Sequence, residues 1–239
     1  MEATTAVLSS NTEVNKMYLY AFSNYEETVI DKLSDKKKLL KKRINRADNF
    51  VNLTLLGAQK CLEDITLKKD TNLYISSENG NMNATITILD AIFRKKQLPM
   101  PFNFLNSVNA SILFFVAKNF GIEGKAIFTD SFESSLIQAY VDVQNAKTVV
   151  LGNVSEAISD LDLHREKFKV NEVVEQSQWL LISPKLEGQK AIAKISDLKI
   201  EIFLRNEKNT INNLFSFLES EEKSLSINAK NLSFIVTKC

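Results

Sequence analysis

The sequence contains few of the residues that build metal centres, disulfide frameworks and nucleophilic sites. It has two cysteines, Cys61 and Cys239, and one histidine, His164, in 239 residues. One histidine and two distant cysteines do not match the ligand spacing of a zinc site, so we expect no metal. Two such cysteines also make no disulfide framework, which favours a reducing, cytoplasmic setting.

The sequence also lacks an excess of charge of either sign and any long apolar run. Thirty basic residues stand against 29 acidic ones, so net charge gives no argument for nucleic-acid or membrane binding. No apolar run approaches the roughly 18 residues of a membrane span, and the N-terminus does not resemble a signal peptide. Neither a Walker motif nor a dinucleotide fingerprint occurs, so we expect no cofactor. The chain reads as soluble, globular and cytoplasmic.

The segment Gly121–Glu156 has the pattern of strand, turn, helix and strand. Lys125–Ser131 is a short run with no helical period and predicts a buried strand. Phe132–Lys147 has an apolar face at helical spacing, and Thr148–Leu151 predicts a second buried strand that Gly152 stops. In such a unit the strand-to-helix turn is where a reactive residue is usually presented.

This turn offers Ser131, Phe132, Glu133, Ser134 and Ser135, and no cysteine. The serines lack the Gly-x-Ser-x-Gly context of a hydrolase, and no motif places a base beside them. Glu133 suits the first turn of a helix, where it favours the dipole. We expect His164, in its polar segment, to be a surface residue and Cys61 to be a packing residue.

Helices and strands are predicted elsewhere by the same periodicities. Ala47–Ile65 is the clearest helix, with one core stripe, and Met82–Gln97 and Thr210–Glu219 are further helices. After Ser107, which we expect to cap it, another helix runs to Gly121. Further strands are predicted at Met17–Ser23, Thr71–Ser77, Gln178–Ser183, Lys190–Ile195, Ile200–Leu204 and Ile227–Lys238, while Ala157–Ser177 reads as a polar stretch.

Two blocks of the sequence resemble β-ketoacyl synthases of the thiolase-like superfamily. The residues that carry the resemblance are Gly121, Gly124, Ser134, Ser135, Leu136, Ala139, Gly152 and Glu156 in the first block, and Pro101, Phe104, Ser107 and Asn109 in the second. The resemblance implies an α/β thiolase-like half-fold, a mixed sheet covered by helices with a truncated C-terminal half. It implies one domain at residues 16–239, with a short extension from about residue 196, while the Thr-, Ser- and Asn-rich composition of residues 1–15 predicts a flexible stretch.

The resemblance also implies that the condensing nucleophile is missing. Counting back from Leu136 places Phe132 at the position of the family's cysteine, and counting forward from Gly124 places Glu133 there. Condensation also needs a pair of histidines, or histidine and asparagine, which one histidine does not supply. Phe132 is therefore either a core aromatic or a plug where an active synthase holds its acyl chain.

The function that the resemblance implies is that of a non-catalytic partner, similar to a chain length factor, bound to an active synthase. The pathway would produce a polyketide, an aryl-polyene or flexirubin-type pigment, or a fatty-acid-like chain. We expect Phe104, Asn106, Ser107, Val108, Asn109 and Phe128 at the interface and acyl pocket. The basic segment Lys36–Arg46 is either a docking patch for an acyl carrier protein or a solvated segment. The alternative is a homodimeric module that binds acyl chains or a carrier protein without catalysis.

Overall fold

The computed structural model describes residues 16–42, 44, 47–200, 210–229 and 232–239. The strands are β1 (Met17–Thr28), β2 (Asn72–Ser76), β3 (Ala126–Thr129), β4 (Val149–Ser155), β5 (Val174–Ser183), β6 (Ala193–Ile200), β7 (Ser224–Asn228) and β8 (Leu232–Lys238). The helices are α1 (Asn49–Leu62), α2 (Met82–Leu89), α3 (Pro101–Ser107), α4 (Ser111–Phe120), α5 (Phe132–Gln144), α6 (Leu161–Phe168) and α7 (Thr210–Glu219).

The described strands form one mixed sheet of eight strands in the order β3-β2-β4-β5-β1-β6-β8-β7. Strand β2 pairs in parallel with β3 and β4, and the remaining pairs are antiparallel. The parallel end therefore holds the β-α-β unit that the sequence predicts, and β3 and β7 lie at the two edges.

Helices cover both faces of the sheet, because successive strand residues point to opposite faces and both sets are apolar. Helices α1 and α4 pack on one face against Leu73, Val150 and Trp179. Helices α5 and α7 pack on the other face against Tyr74 and Leu180. The predicted α/β class, a mixed sheet covered by helices, is confirmed.

Helix α1 is buried around almost its whole circumference, so the predicted single core stripe is too narrow. Eleven of its 14 residues are buried, including Cys61, whose predicted packing role is confirmed. Asp48 caps the helix by accepting a hydrogen bond from the backbone N of Val51 at 3.0 Å. Gly57 faces β5 so closely that a Cβ there would lie 2.6 Å from the Trp179 ring.

Two predictions in the β-α-β unit need correction. Strand β3 is half-exposed rather than buried, because β2 is its only neighbour among the described strands. Strand β4 does not stop at Gly152 but continues to Ser155. Gly152 pairs with Trp179 of β5, and the indole lies where a side chain at 152 would be.

The helical segment before Gly121 is also more broken than predicted. Helix α2 ends at Leu89, and the chain then forms one π-helical turn from Asp90 to Arg94. Ser107 does not cap the next helix: it ends α3, and its Oγ donates to the backbone O of Phe104 at 2.8 Å. Helix α4 ends at Gly121 in the left-handed conformation, as predicted.

Other element boundaries differ because pairing in the sheet extends the strands. Strand β1 runs on to Thr28 because it pairs with β5 from Tyr18 to Thr28, and β5 itself begins at Val174. The predicted polar stretch 157–177 therefore contains α6 and the start of β5. The strand predicted at Lys190–Ile195 lies instead at Ala193–Ile200. The single strand predicted at Ile227–Lys238 is part of the hairpin of β7 and β8. Residues 1–15 and most of the predicted strand Ile200–Leu204 lie outside the described residues.

Candidate functional site

The turn between β3 and α5 is a helix cap built from hydroxyl groups. Ser131 is the N-cap residue, and its Oγ accepts a hydrogen bond from the backbone N of Ser134 at 3.2 Å. The Oγ atoms of Ser131 and Ser134 lie 2.8 Å apart, and those of Ser135 and Thr129 lie 2.6 Å and form a second pair. The predicted serines are thus brought together, and these bonds hold the turn closed.

Phe132 occupies the first position of α5 and is 4% exposed. Its ring packs in the core between the sheet and α5, with Leu136 and Tyr74. Glu133 follows in the first helical turn, where a carboxylate complements the helix dipole. The side chain at this position therefore fills space within the protein, which both the core-aromatic and the plug interpretation require.

A second cluster joins the predicted residues Asn106 and Asn109 to Asn81. Asn81 caps α2, its Nδ2 donates to the backbone O of Asn106 at 2.9 Å, and its backbone N donates to Oδ1 of Asn109 at 2.9 Å. The same Nδ2 donates to Oδ2 of Asp48 at 2.6 Å. Asn81 thereby ties together the start of α1, the start of α2 and the α3–α4 junction.

The helices around this junction expose a concentrated set of apolar side chains. Eleven of the 17 large apolar residues that are exposed in the described part of the chain lie between residues 86 and 114. We call this surface the apolar face; its members are Ile86, Leu89, Ile92, Phe93, Leu98, Met100, Phe102, Phe104, Leu105, Val108 and Phe114. The predicted interface residues Phe104 and Val108 lie on it, being 59% and 46% exposed.

Phe128, another predicted interface residue, does not belong to the apolar face. It is partly buried on the edge strand β3 and packs against the core beneath α1 and α4. Helix α4 packs against both β2 and β3, so the apolar face and the open edge of β3 belong to the same end of the sheet.

A buried acidic cluster lies where α1 begins and β4 ends. Nδ2 of Asn49 is 3.0 Å from Oε1 of Glu156 and 3.0 Å from Oε1 of Glu175. Burial raises the pKa of Glu156 to about 8, with further contributions from the nearby Asp48 and Glu175 carboxylates. Lys36 forms an ion pair with Glu175, and both side chains are completely buried.

The lysines of the basic segment Lys36–Arg46 therefore have different surroundings. Lys36 is a buried anchor, whereas Lys38, Lys41 and Lys42 are exposed. Lys38 and Lys41 form exposed ion pairs with Asp35 and Glu63. A cavity of about 330 Å³ adjoins the anchored part of the segment and is lined by residues from 33–37 and 47–52. Arg43, Arg46 and Asn45 of the predicted segment lie outside the described residues.

His164 is buried rather than on the surface. Its Nδ1 accepts a hydrogen bond from the backbone N of Ile158 at 3.1 Å, and its ring centroid lies 4.6 Å from that of Phe168. Burial and the neighbouring Arg165 lower the pKa of His164, so the imidazole is held neutral. It secures the turn before α6.

Neither a metal site nor a membrane span is found in the described ranges. No group of three or more His, Cys, Asp or Glu side chains among residues 16–42, 44, 47–200, 210–229 and 232–239 is arranged to hold a metal ion. None of the described helices has both the length and the hydropathy needed to cross a bilayer.

Comparison of the fold with solved structures identifies its type. The chain superposes on the ishigamide ketosynthase/chain length factor with a TM-score of 0.63 and 11% identity, over 77% of this chain and 67% of that chain. It matches the type II polyketide synthase complex AntDE:AntF, an acyl-carrier protein with its hexaketide-bound ketosynthase, at 0.64 and 13%, over 85% and 73%. This is the ketosynthase/chain-length-factor fold.

A third complex has a chain of similar extent. The ketosynthase ApeO in complex with its chain length factor ApeC, from Xenorhabdus doucetiae, gives a TM-score of 0.61 at 12% identity. That match covers 93% of this chain and 99% of the other. The thiolase-like fold that the sequence resemblance predicts is confirmed. No family model matches the sequence, and no curated protein is significantly similar to it.

Several residues that organise this region were missed by sequence reasoning. They are Asn81, Asn49 and Lys36. Lys36 pairs both with the nearby Glu27 and with Glu175, which is far along the chain. Asn81 carries a signal that could have been used, because an asparagine before a helical pattern is a good N-cap. No local pattern indicates a buried lysine within a basic run.

Proposed function

We propose that this protein is a non-catalytic partner subunit, similar to a chain length factor, that binds an active β-ketoacyl synthase. In this proposal it stabilises the synthase and shapes the acyl tunnel near their interface. The observation that carries the proposal is the apolar face, which lies at the same end of the sheet as the edge strand β3.

The number of exposed apolar side chains on the apolar face supports a protein partner. Soluble monomers rarely expose large contiguous apolar patches, and such surfaces usually mark interaction sites. Phe93, Leu98, Met100 and Phe104 are each more than half exposed, and burying such side chains is what stabilises an obligate interface. The ketosynthase/chain-length-factor complexes that share this fold are assemblies in which a synthase meets such a partner.

The residues at the turn support a structural rather than a catalytic role. Phe132 is packed in the core, and the serine hydroxyls bond to one another and to the helix end. The two cysteines of the sequence lie elsewhere, Cys61 within α1 and Cys239 at the end of the chain. Burial raises the pKa of the Cys61 thiol to about 12, so it is a poor source of thiolate.

The setting that fits this role is biosynthesis of a polyketide, of an aryl-polyene or flexirubin-type pigment, or of a fatty-acid-like chain. The exposed Lys38, Lys41 and Lys42 would offer an acyl carrier protein a basic surface, while Lys36 holds the segment in place. The homodimeric acyl-binding alternative has less support. Neither the cavity of about 330 Å³ near Lys36 nor that of about 350 Å³ near α7 is lined by Phe132.

The proposed interface can be tested by introducing a negative charge on the apolar face. Phe104→Glu and Val108→Glu place a carboxylate on exposed positions, so the isolated chain should fold normally while the interface would bury an unpaired charge. We expect each variant to lose co-purification with the co-expressed β-ketoacyl synthase that the unmodified chain retains. Circular dichroism of each isolated variant checks the fold.

The matched control is Val141→Glu on α5, at the opposite face of the sheet. Val141 is 47% exposed, almost the same as Val108, but it is not part of the apolar face. It should leave the complex intact. Complex formation that survives both Phe104→Glu and Val108→Glu would refute the proposed interface.

A further inference from the structure

The turn between α2 and α3, residues Arg94–Met100, is the most exposed part of the apolar face; we call it the α2–α3 turn. Leu98 within it is 94% exposed, more than any other large apolar residue in the described part of the chain. Met100 and the preceding Phe93 are 67% and 65% exposed. A single exposed leucine is ordinary, but a cluster of this kind marks a binding contact.

The backbone of the α2–α3 turn is held in a defined conformation. The backbone N of Gln97 donates to the O of Ala91 at 2.9 Å, and Lys96 is left-handed with a φ of 54°, which closes the end of the helix. Pro99 follows Leu98 directly and restricts the backbone of both residues. Leu98 is therefore presented from a preorganised backbone, so less conformational entropy is lost when a partner binds it.

Basic residues dominate the segment that carries the apolar face. Residues 79–122 contain four basic residues and one acidic residue, a local net charge of +3, whereas the whole chain has a net charge of +1. The acid, Asp90, lies 2.7 Å from Nζ of Lys95 and 3.7 Å from the guanidinium of Arg94. Lys96 is exposed and forms no ion pair with a described residue.

The residues around this segment do not neutralise it. Lys118 adds to its charge, because its Nζ lies 5.5 Å from the centroid of an aromatic ring of the apolar face. Glu123 is held in an ion pair with Lys69. Glu78 and Asp130 follow β2 and β3 near the start of α2, about 18 Å along the helix axis from the α2–α3 turn. That separation exceeds the screening length of about 8 Å at physiological salt.

The charge and the apolar area together indicate what covers this surface. A second copy of the chain would bring the same segment, with one acid for four bases, against this one, and like charges across an interface oppose binding. A transient carrier-protein contact would be smaller and more polar than eleven exposed apolar side chains require. A permanent partner with carboxylates on its facing surface satisfies both features.

We propose that the α2–α3 turn anchors this chain on its synthase: Leu98 enters an apolar pocket of the synthase surface, and carboxylates at the border of that pocket face Arg94 and Lys96. The inference rests on the proposed function and adds the chemistry of the surface that the synthase presents. An apolar anchor within a polar border is the arrangement in which one residue contributes much of the binding free energy. Synthases without the acidic border are rejected, because the bases would be left unpaired.

Leu98→Ala tests the anchor, because a side chain that is 94% exposed is not needed for the isolated chain to fold. Biolayer interferometry against the co-expressed β-ketoacyl synthase should show a Kd raised at least about tenfold. Leu163→Ala is the matched control, since Leu163 is a 41% exposed leucine on α6 and is not part of the apolar face. It should leave the Kd unchanged.

Arg94→Glu with Lys96→Glu tests the charge of the synthase surface. The double variant should raise the Kd at least about tenfold at about 0.1 M salt, and the effect should shrink as salt is raised. Lys190→Glu with Lys199→Glu makes the same change in net charge at two exposed lysines near β6, far from β3 in the sheet. This control should keep the Kd of the unmodified chain.

A further measurement uses the unmodified complex and does not depend on any variant. A carbodiimide joins a lysine amine to a carboxyl group in direct contact with it, with loss of water. Peptide mass spectrometry should find Lys95 or Lys96 linked to an aspartate or glutamate of the synthase. Lys190 should give no such link.

The outcomes separate this inference from the proposed function. If the unmodified chain binds no synthase, both fail. If the complex forms but Leu98→Ala and the double glutamate variant keep its Kd, or if no lysine of the α2–α3 turn is linked to the synthase, this inference alone is overturned. It is also overturned by a homodimer that Leu98→Ala dissociates, or by sedimentation with phosphatidylserine vesicles that the double glutamate variant loses.

Discussion

At the scale of single residues, the most unusual group is the Glu156 carboxyl. It is 5% exposed and accepts a hydrogen bond from Asn49, and its Oε2 has no partner among the described residues. The protein holds it protonated near neutral pH because the charged form would lie unsolvated beside the carboxylates of Asp48 and Glu175. A resemblance in sequence marked this glutamate but gave no sign of its protonation state.

Glu156→Gln should change how stability depends on pH. The pKa of Glu156 rises from an ordinary 4.5 to about 8 on folding, so between those values the folded chain binds more protons than the unfolded chain. The free energy of unfolding of the unmodified protein should therefore fall, relative to Glu156→Gln, as pH rises from about 4.5 to about 8. Outside this pH range, the difference in unfolding free energy between the two proteins should not change with pH. Urea denaturation at several pH values measures it.

The control for this prediction is Glu187→Gln, because Glu187 is exposed in the turn after β5. This variant should follow the pH dependence of the unmodified protein. If Glu156→Gln did the same, the carboxyl at 156 would be ionised in the folded state and our account of the cluster would be wrong.

Lys36 provides the second prediction at this scale. Lys36→Met leaves the fully buried Glu175 without its cation, and breaking such a pair costs about 3–5 kcal/mol of unfolding free energy. Lys38→Met removes an exposed pair with Asp35 and should cost only about 0.5 kcal/mol. Chemical denaturation compares the two. Adding Glu175→Gln to Lys36→Met should restore part of the loss; equal effects of the two lysine variants would contradict a buried anchor.

At the scale of elements, close contact between α1 and β5 depends on a missing side chain. Gly57 lies within the helix, and a Cβ there would lie no more than 2.6 Å from both Oγ of Ser177 and the ring of Trp179. Gly152 of β4 meets the same indole from the neighbouring strand. Trp179 is fully buried, so these two glycines make the space for the largest side chain of the core.

Gly57→Ala should destabilise the protein by about 1–3 kcal/mol, because the added methyl overpacks a closed contact between helix and strand. Helix propensity alone predicts the opposite sign, a gain of about 1 kcal/mol for alanine over glycine. The sign of the change in thermal unfolding midpoint therefore decides between the two effects. A stabilised variant would mean that the Ser177 hydroxyl and the Trp179 indole can both move aside.

Elements with a strong local pattern could be predicted from the sequence, and those fixed by distant pairing could not. Helix α7 has a clear apolar face, and its range Thr210–Glu219 is the one that the periodicity predicted. The extent of β1 is set by β5, more than a hundred residues away, so no local pattern marks Thr28 as its end. The β7–β8 hairpin was missed because Ile227–Lys238 contains no glycine or proline to mark a turn.

The same limit applies to the candidate site. Sequence reasoning placed Phe104 and Val108 at an interface, and the structure exposes both on the apolar face. It could not distinguish these two exposed residues from Asn106 and Asn109, which accept hydrogen bonds from Asn81, because all four lie within one short segment. It could not find Lys36 and Glu175 as a pair, since their contact exists only after β5 has joined the sheet.

At the scale of the whole molecule, the sheet has two edges with different surroundings. Beside β3 are α4 and the apolar face, which we assign to a synthase partner. At the other edge, β7 has only β8 as a neighbour among the described strands, and a groove of about 350 Å³ lies between β7 and α7.

The central claim is that the chain functions as one half of a complex with a β-ketoacyl synthase. The most direct test is co-expression with each β-ketoacyl synthase encoded in the same genome, followed by size-exclusion chromatography with light scattering. Our account predicts a stable one-to-one complex with at least one synthase. A homodimer or monomer that ignores every synthase would contradict it and favour a self-sufficient acyl-chain or carrier-protein binding module.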